Sequence, residues 1–341
     1  MLRFCLVRCS LVLVLLVISL SASTAFAQST DDVHITPRAV PELSPSSSDG
    51  LEVHQKPVRV DVSLVLVPVM VTDTQGSPVM DLKRDDFQLY EGEQQQHVSY
   101  FYSEDAPISV GLIVDLSGSM GNKLDRVREA VSEFFKNADP QDDYFVITFS
   151  DKPRLLANTT QSTETIQSKL EEMKARGNTA LADAIYSGLL KLKSAQYRRR
   201  ALVVISDGGD NASRRSLRSV KNLAKESDAE IYAIDVCDAP NVLFTKKLEE
   251  KFGKQWLTQV TDVTGGRTIA VDNAGKIPGA AAQISRELRN QYVLAFRPNN
   301  GPLDGKWRKL KVKVVRPAAA LAYQVYYRTG YLARKDEDQG Q

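Results

Sequence analysis

Asp115, Ser117 and Ser119 stand in the string IVDLSGSMG, Thr179 in RGNTALADAI and Asp207 in LVVISDGGDN. Each follows an apolar strand-like run or precedes a helix-like one. Together they offer only oxygen: carboxylates from Asp115 and Asp207, neutral hydroxyls from the other three. That is the ligand set of a hard divalent cation, Mg²⁺ first and Mn²⁺ or Ca²⁺ as alternatives. With at most two negative charges around it, a bound dication is not over-neutralised and keeps its Lewis acidity. An external carboxylate could then complete its coordination. No general base accompanies the set, so it suits recognition of a protein partner's Asp or Glu better than hydrolysis.

The elements that must position these residues are readable from periodicity. From Ile108, short apolar runs alternate with amphipathic helices. Ile108 to Val114 is apolar apart from Ser109 and Gly111, as expected of a strand covered on both faces. Leu124, Val127, Val131, Phe134, Phe135 and Ala138 then recur at helical spacing. Strands follow at Tyr144–Phe149, Ala201–Ser206, Ile231–Val236, Thr268–Val271 and Tyr292–Phe296, with helices between them. This alternation predicts an α/β fold, a doubly wound and mainly parallel sheet with helices on both faces. In such sheets ligands bind beyond the carboxyl ends of the strands, which is where Asp115 and Asp207 fall.

The flanks have a different texture. Val58, Val60, Val62, Leu64 and Leu66 alternate with polar residues, and so do Phe87 and Leu89. After Pro298, Leu310, Val312 and Val314 alternate with lysines, and Tyr323, Val325 and Tyr327 alternate again. Strands on either side of one α/β domain suggest a small β-sandwich into which that domain is inserted; two separate β units are the alternative. The expected organisation is a signal peptide (1–27), a disordered linker (28–57), an N-terminal β unit (58–103), the α/β domain (106–290), C-terminal strands pairing with the first β unit (291–331) and a disordered tail (332–341).

Residues 1–27 carry Arg3 and Arg8, the apolar run Leu11–Leu20 and the small-x-small site Ala25-Phe26-Ala27. That is the pattern of a secretory leader cleaved before Gln28, and it predicts a protein exported to the periplasm, cell surface or medium, with no transmembrane segment in the mature chain. Beyond residue 27, 42 basic residues balance 42 acidic ones, so net charge gives no reason to expect nucleic acid. Of the three cysteines, Cys5 and Cys9 leave with the leader and Cys237 stays, which rules out an internal disulfide in the mature chain.

The string Asp115-x-Ser117-x-Ser119, the Thr179 of GNTAL and the Asp207 of ISDGGDN together resemble the metal-ion-dependent adhesion site of von Willebrand factor type A domains, over roughly residues 106–290. The flanks DLKRDDFQLYEGEQQQHVSYF, ELRNQYVLAFRP and YYRTGYLA look like those of exported von Willebrand-A-related proteins of Acidobacteria-like bacteria. The resemblance implies that Ser117, Ser119 and Thr179 meet the metal through their hydroxyls, while Asp115 and Asp207 act largely through water. It implies a non-enzymatic, adhesion-type binding module.

Blander readings exist position by position. Ser119 and Thr179 could cap the helices that follow them, and Asp115 and Asp207 could be turn residues. Asp210 and Asn211 read as a solvated loop. A haloacid-dehalogenase-like phosphatase would use Asp115 and Asp207, but it wants an acid two residues after its nucleophile, where Ser117 stands. A structural envelope scaffold with a vestigial site is the remaining alternative. The histidines, His34, His54 and His97, all precede the α/β domain, which argues against a serine-hydrolase triad.

Overall fold

A strand buried on both faces needs neighbours on both edges and helices above and below. The computed structural model describes residues 64–103, 106–236, 255–298, 304–315 and 323–333. The leader, the linker, residues 58–63 of the first β segment, Cys237 and residues 334–341 of the tail lie outside the described residues. The first β segment forms β1 (Val65–Thr72), β2 (Phe87–Glu91), β3 (Gln94–Gln96) and β4 (Val98–Tyr102). Then come β5 (Ser109–Asp115), α1 (Leu124–Phe135), β6 (Asp143–Phe149), β7 (Pro153–Thr160), α2 (Thr163–Glu171), α3 (Leu181–Lys193), β8 (Arg200–Ser206), α4 (Leu217–Glu226) and β9 (Glu230–Val236). After α5 (residues 255–264) follow β10 (Thr268–Val271), α6 (Ile277–Arg289), β11 (Tyr292–Phe296), β12 (Trp307–Val314), β13 (Gln324–Tyr327) and β14 (Gly330–Leu332).

Among the described residues the central sheet has six strands in the order β10-β9-β8-β5-β6-β7. All its pairings are parallel except β6 with β7. The α/β class and mainly parallel sheet expected from periodicity are thus present. β7 was not anticipated, because PRLLANTT lacks strand alternation; its antiparallel pairing with β6 makes it a strand. The first strand also starts later than the Val58–Leu66 alternation suggested, at Val65.

The sheet is doubly wound. One face packs Val110, Leu112 and Val114 against α1 and α6, and the other packs Ile113, Phe145 and Val204 against α3, α4 and α5. Gly111 shows how tight the second layer is: a Cβ there would lie 2.3 Å from the Phe145 ring and 2.5 Å from Leu202. β5 is flanked by β6 on one side and β8 on the other, so the winding reverses between β5 and β8. A crevice opens at such a switch point.

Outside this domain, two antiparallel sheets enclose a separate core. Their orders are β13-β1-β11-β4 and β14-β12-β2-β3, so each mixes strands from before and after the α/β domain. Val67, Val69, Leu89, Leu294, Phe296 and Val312 fill the space between them. Tyr292 packs against Phe87 and Phe101 with ring centroids 5.1 and 5.5 Å away. Its buried hydroxyl accepts the Leu82 N–H and donates to the Val79 carbonyl.

Arg267, just before β10, joins the two cores. Its guanidinium pairs with Glu287 of α6, and it donates to the Tyr326 hydroxyl of β13 at 3.2 Å while lying 4.9 Å over that ring. Glu287 is 1% exposed, so removing one partner strands a buried charge. Glu287→Ala should lower the unfolding free energy by about 3–5 kcal/mol in urea denaturation. A loss below about 1 kcal/mol would show that this pair is not what ties α6 to the sandwich.

Candidate metal centre

Val114 pairs with Ile205 in the register of β5 and β8, so both strands end together and deliver Asp115 and Asp207 to the same end of the sheet. Asp115 is fully buried. Its Oδ1 accepts the Ser117 N–H at 2.8 Å and its Oδ2 accepts the Ser206 hydroxyl at 2.6 Å. Burial, and then the nearby charge of Asp207, push the Asp115 carboxyl up to about 6, against the lowering effect of those hydrogen bonds. Two carboxylates close enough to oppose each other's ionisation are what a cation relieves.

Ser117 is buried and Ser119 exposed, with their hydroxyls 3.1 Å apart. Neither hydroxyl makes a helix-cap hydrogen bond, although Ser117 immediately precedes the single 3-10 turn Gly118–Met120. The residue before α1 is Lys123 and the residue before α3 is Ala180, and no side chain makes the cap hydrogen bond at either. Capping, the bland reading of Ser119 and Thr179, is therefore not how these hydroxyls are used.

Thr179 is brought in by backbone clasps. The Arg176 N–H donates to the Leu116 carbonyl, the Gly118 N–H to the Gly177 carbonyl and the Ala180 N–H to the Ser150 carbonyl. Gly177 has a φ of +84°, and a Cβ on it would sit 2.8 Å from the Asp151 carboxylate. Glycine is what lets this loop close onto the loop carrying Ser117 and Ser119.

On the other side, the Asn211 side chain accepts the Thr179 N–H at 2.9 Å, while the N–H groups of Asn211 and Ala212 both donate to the Thr179 carbonyl. Asp210 accepts from the Ala182 N–H at the start of α3. Asp210 and Asn211, read from sequence as a solvated loop, thus tie Thr179 to the strand end that bears Asp207. Ser206 is a further positioning residue that sequence reasoning missed. It looked like the last residue of an apolar strand, and only the register of β8 beside β5 aims its hydroxyl at Asp115.

The strand ends and loops that carry the five expected residues therefore meet at one end of the sheet, at its switch point. Among the described residues no group of three or more His, Cys, Asp or Glu side chains is placed to hold a metal. The candidate centre has only two such groups, and its other donors are hydroxyls. The donor set fits a hard dication.

Residues 110–209 match the profile of the von Willebrand factor type A domain family. The chain contains a von Willebrand factor type A domain. The match covers β5 through the start of the loop after β8, and so includes all five candidate ligands. Domains of this type are protein-interaction modules. Human inter-alpha-trypsin inhibitor heavy chain H4 is 25% identical over 158 residues, 42% of this chain and 17% of that protein. An uncharacterized protein of Borreliella burgdorferi is 23% identical over 215 residues, 57% of this chain and 63% of the relative. The chain thus spans less than two thirds of the length of either relative. A solved von Willebrand factor type A structure from Catenulispora acidiphila aligns with a TM-score of 0.46 at 10% identity, covering 73% of this chain and 77% of that one.

The raised Asp115 value has a signed consequence for the metal-free protein. The folded state holds a proton on Asp115 at pH values where the unfolded chain, near 3.8, has lost it. Stability from this group is greatest below pH 4 and falls as pH rises through about 6, by up to about 3 kcal/mol. Urea unfolding in chelator at pH 4 and pH 7.5 should show the parent losing more stability over that interval than Asp115→Asn, which does not titrate. Equal losses would contradict the buried like-charge arrangement.

Proposed function

We propose that this is an exported protein-binding module. Its von Willebrand factor type A domain holds Mg²⁺, or Mn²⁺ or Ca²⁺ in its place, through Asp115, Ser117, Ser119, Thr179 and Asp207, and engages an Asp or Glu of a protein partner there. What supports this reading is that Asp115 and Asp207 follow the ends of adjacent strands while backbone hydrogen bonds close the loop of Thr179 onto the loop of Ser117 and Ser119, with none of the three hydroxyls making a helix-cap bond. The ion would supply Lewis-acid affinity for a carboxylate. Ser119, the exposed donor, marks the side from which a partner approaches, and buried Asp115 balances charge from beneath.

The rim carries charges of both signs. Asp151, Asp183 and Asp210 accept backbone N–H groups, from Asn178 for Asp151, Arg214 and Arg215 for Asp183, and Ala182 for Asp210, though Asp151 and Asp210 stay exposed. Arg176, Arg214 and Arg215 are left exposed on the same loops. A phosphatase reading is disfavoured by Asp115 itself. It is 0% exposed with both oxygens engaged, which is no position for a nucleophile, and Ser117 stands where that chemistry wants an acid. Export rests on the leader pattern of residues 1–27. Among the described residues no helix is long and apolar enough to cross a membrane.

Purified protein should melt higher with Mg²⁺ than in chelator, by roughly 5 °C or more at a hundredfold excess over Kd. Asp115→Ala should abolish that rise, and a partner captured from envelope extract should be released by chelator. An equal rise in the variant would remove the metal from this site, and capture indifferent to chelator would place partner binding on another surface.

A further inference from the structure

Lys123 occupies an unusual position. It is the residue immediately before α1, its side chain is 3% exposed, and its ammonium lies 3.8 Å from Oδ2 of Asp207. Its backbone is fixed at the junction of the ligand loop and the helix, with its N–H on the Met120 carbonyl and its own carbonyl accepting from Val127. Lysine is rarely buried, and a cation gains nothing from a helix N-terminus, where the peptide dipoles present positive charge. On the site side the ammonium faces the Asp207 carboxylate, which itself acts on Asp115.

We infer that Lys123 is a built-in counter-cation of the metal centre, which weakens its hold on the dication and leaves the loaded centre positively charged. This rests on the metal reading above and deepens it. Formal charges make the case. Asp115 and Asp207 ionised contribute −2 and Lys123 contributes +1. A dication therefore brings the centre to +1, where two carboxylates alone would bring it to 0. A centre at +1 still attracts an anion, so the partner's carboxylate completes the charge as well as the coordination. By linkage, partner and metal then strengthen each other's binding to the same degree.

The test uses the metal alone as probe. Mg²⁺ and Mn²⁺ are titrated calorimetrically into the parent, Lys123→Met and Lys123→Arg. Lys123→Met, which keeps the apolar stem and loses the charge, should bind roughly tenfold tighter or better. Lys123→Arg, which keeps the charge, should stay within about threefold of the parent. Equal or weaker binding by Lys123→Met, with the parent binding normally, overturns the inference and leaves the metal reading standing. No binding by any of the three proteins overturns both.

A second arm, in chelator, covers the case where Lys123→Met folds poorly by itself. Lys123→Met should be less destabilising, or even stabilising, in the Asp207→Asn background than in the parent, because the ammonium has then lost its carboxylate. Simple additivity of the two substitutions would contradict the pairing of Lys123 with Asp207.

Discussion

Two carboxylates of like charge at the ends of adjacent parallel strands, one of them with no access to solvent, form the constraint around which the rest of the α/β domain is arranged. An aspartate at the end of a buried strand is unfavourable unless its oxygens are satisfied. Asp115 is satisfied locally by the Ser117 N–H and laterally by the Ser206 hydroxyl. The residual repulsion from Asp207 is met by a buried ammonium and, in the proposed loaded state, by a dication. In the proposed loaded state, the same geometry that strains the metal-free centre would favour a small hard cation.

The scaffold holds that arrangement still. Sheet winding reverses between β5 and β8, which opens space for a ligand while the strands beneath stay packed on both faces. Backbone hydrogen bonds close the loops over it in pairs, so Thr179 is held from the Ser117 side by Gly177 and from the Asp207 side by Asn211. Below the sheet, Asp142 receives the Ile108 N–H and the Tyr144 hydroxyl and pairs with Arg289. With Arg267 and Glu287 it couples α6 to β5, β6 and the sandwich. The sandwich in turn is built from strands on both sides of the inserted domain, so the ends of that domain are clamped close together.

Much of this was legible in the sequence because it follows from local pattern. Buried parallel strands read as continuous apolar runs, amphipathic helices read at their 3.6-residue period, and the DxSxS, Thr and Asp positions fall at element edges where such a site needs them. What was not legible depends on register. Nothing in the string LVVIS says that Ser206 faces Asp115, and nothing in DGGDN says that Asn211 reaches back to Thr179 across 32 residues. β7 was missed because pairing with β6, rather than its own alternation, makes it a strand. Lys123 reads as an ordinary helix-start lysine until its burial and its distance to Asp207 are known.

The central claim is that these five side chains surround a dication. Crystals of the protein grown with Mn²⁺ and measured for anomalous scattering test it directly. The account predicts one strong peak among the hydroxyls of Ser117, Ser119 and Thr179, with the carboxylates of Asp115 and Asp207 in contact with it or one water away. A fully occupied Mn²⁺ elsewhere on the molecule with none at this site, or no ordered ion at saturating Mn²⁺, would contradict it.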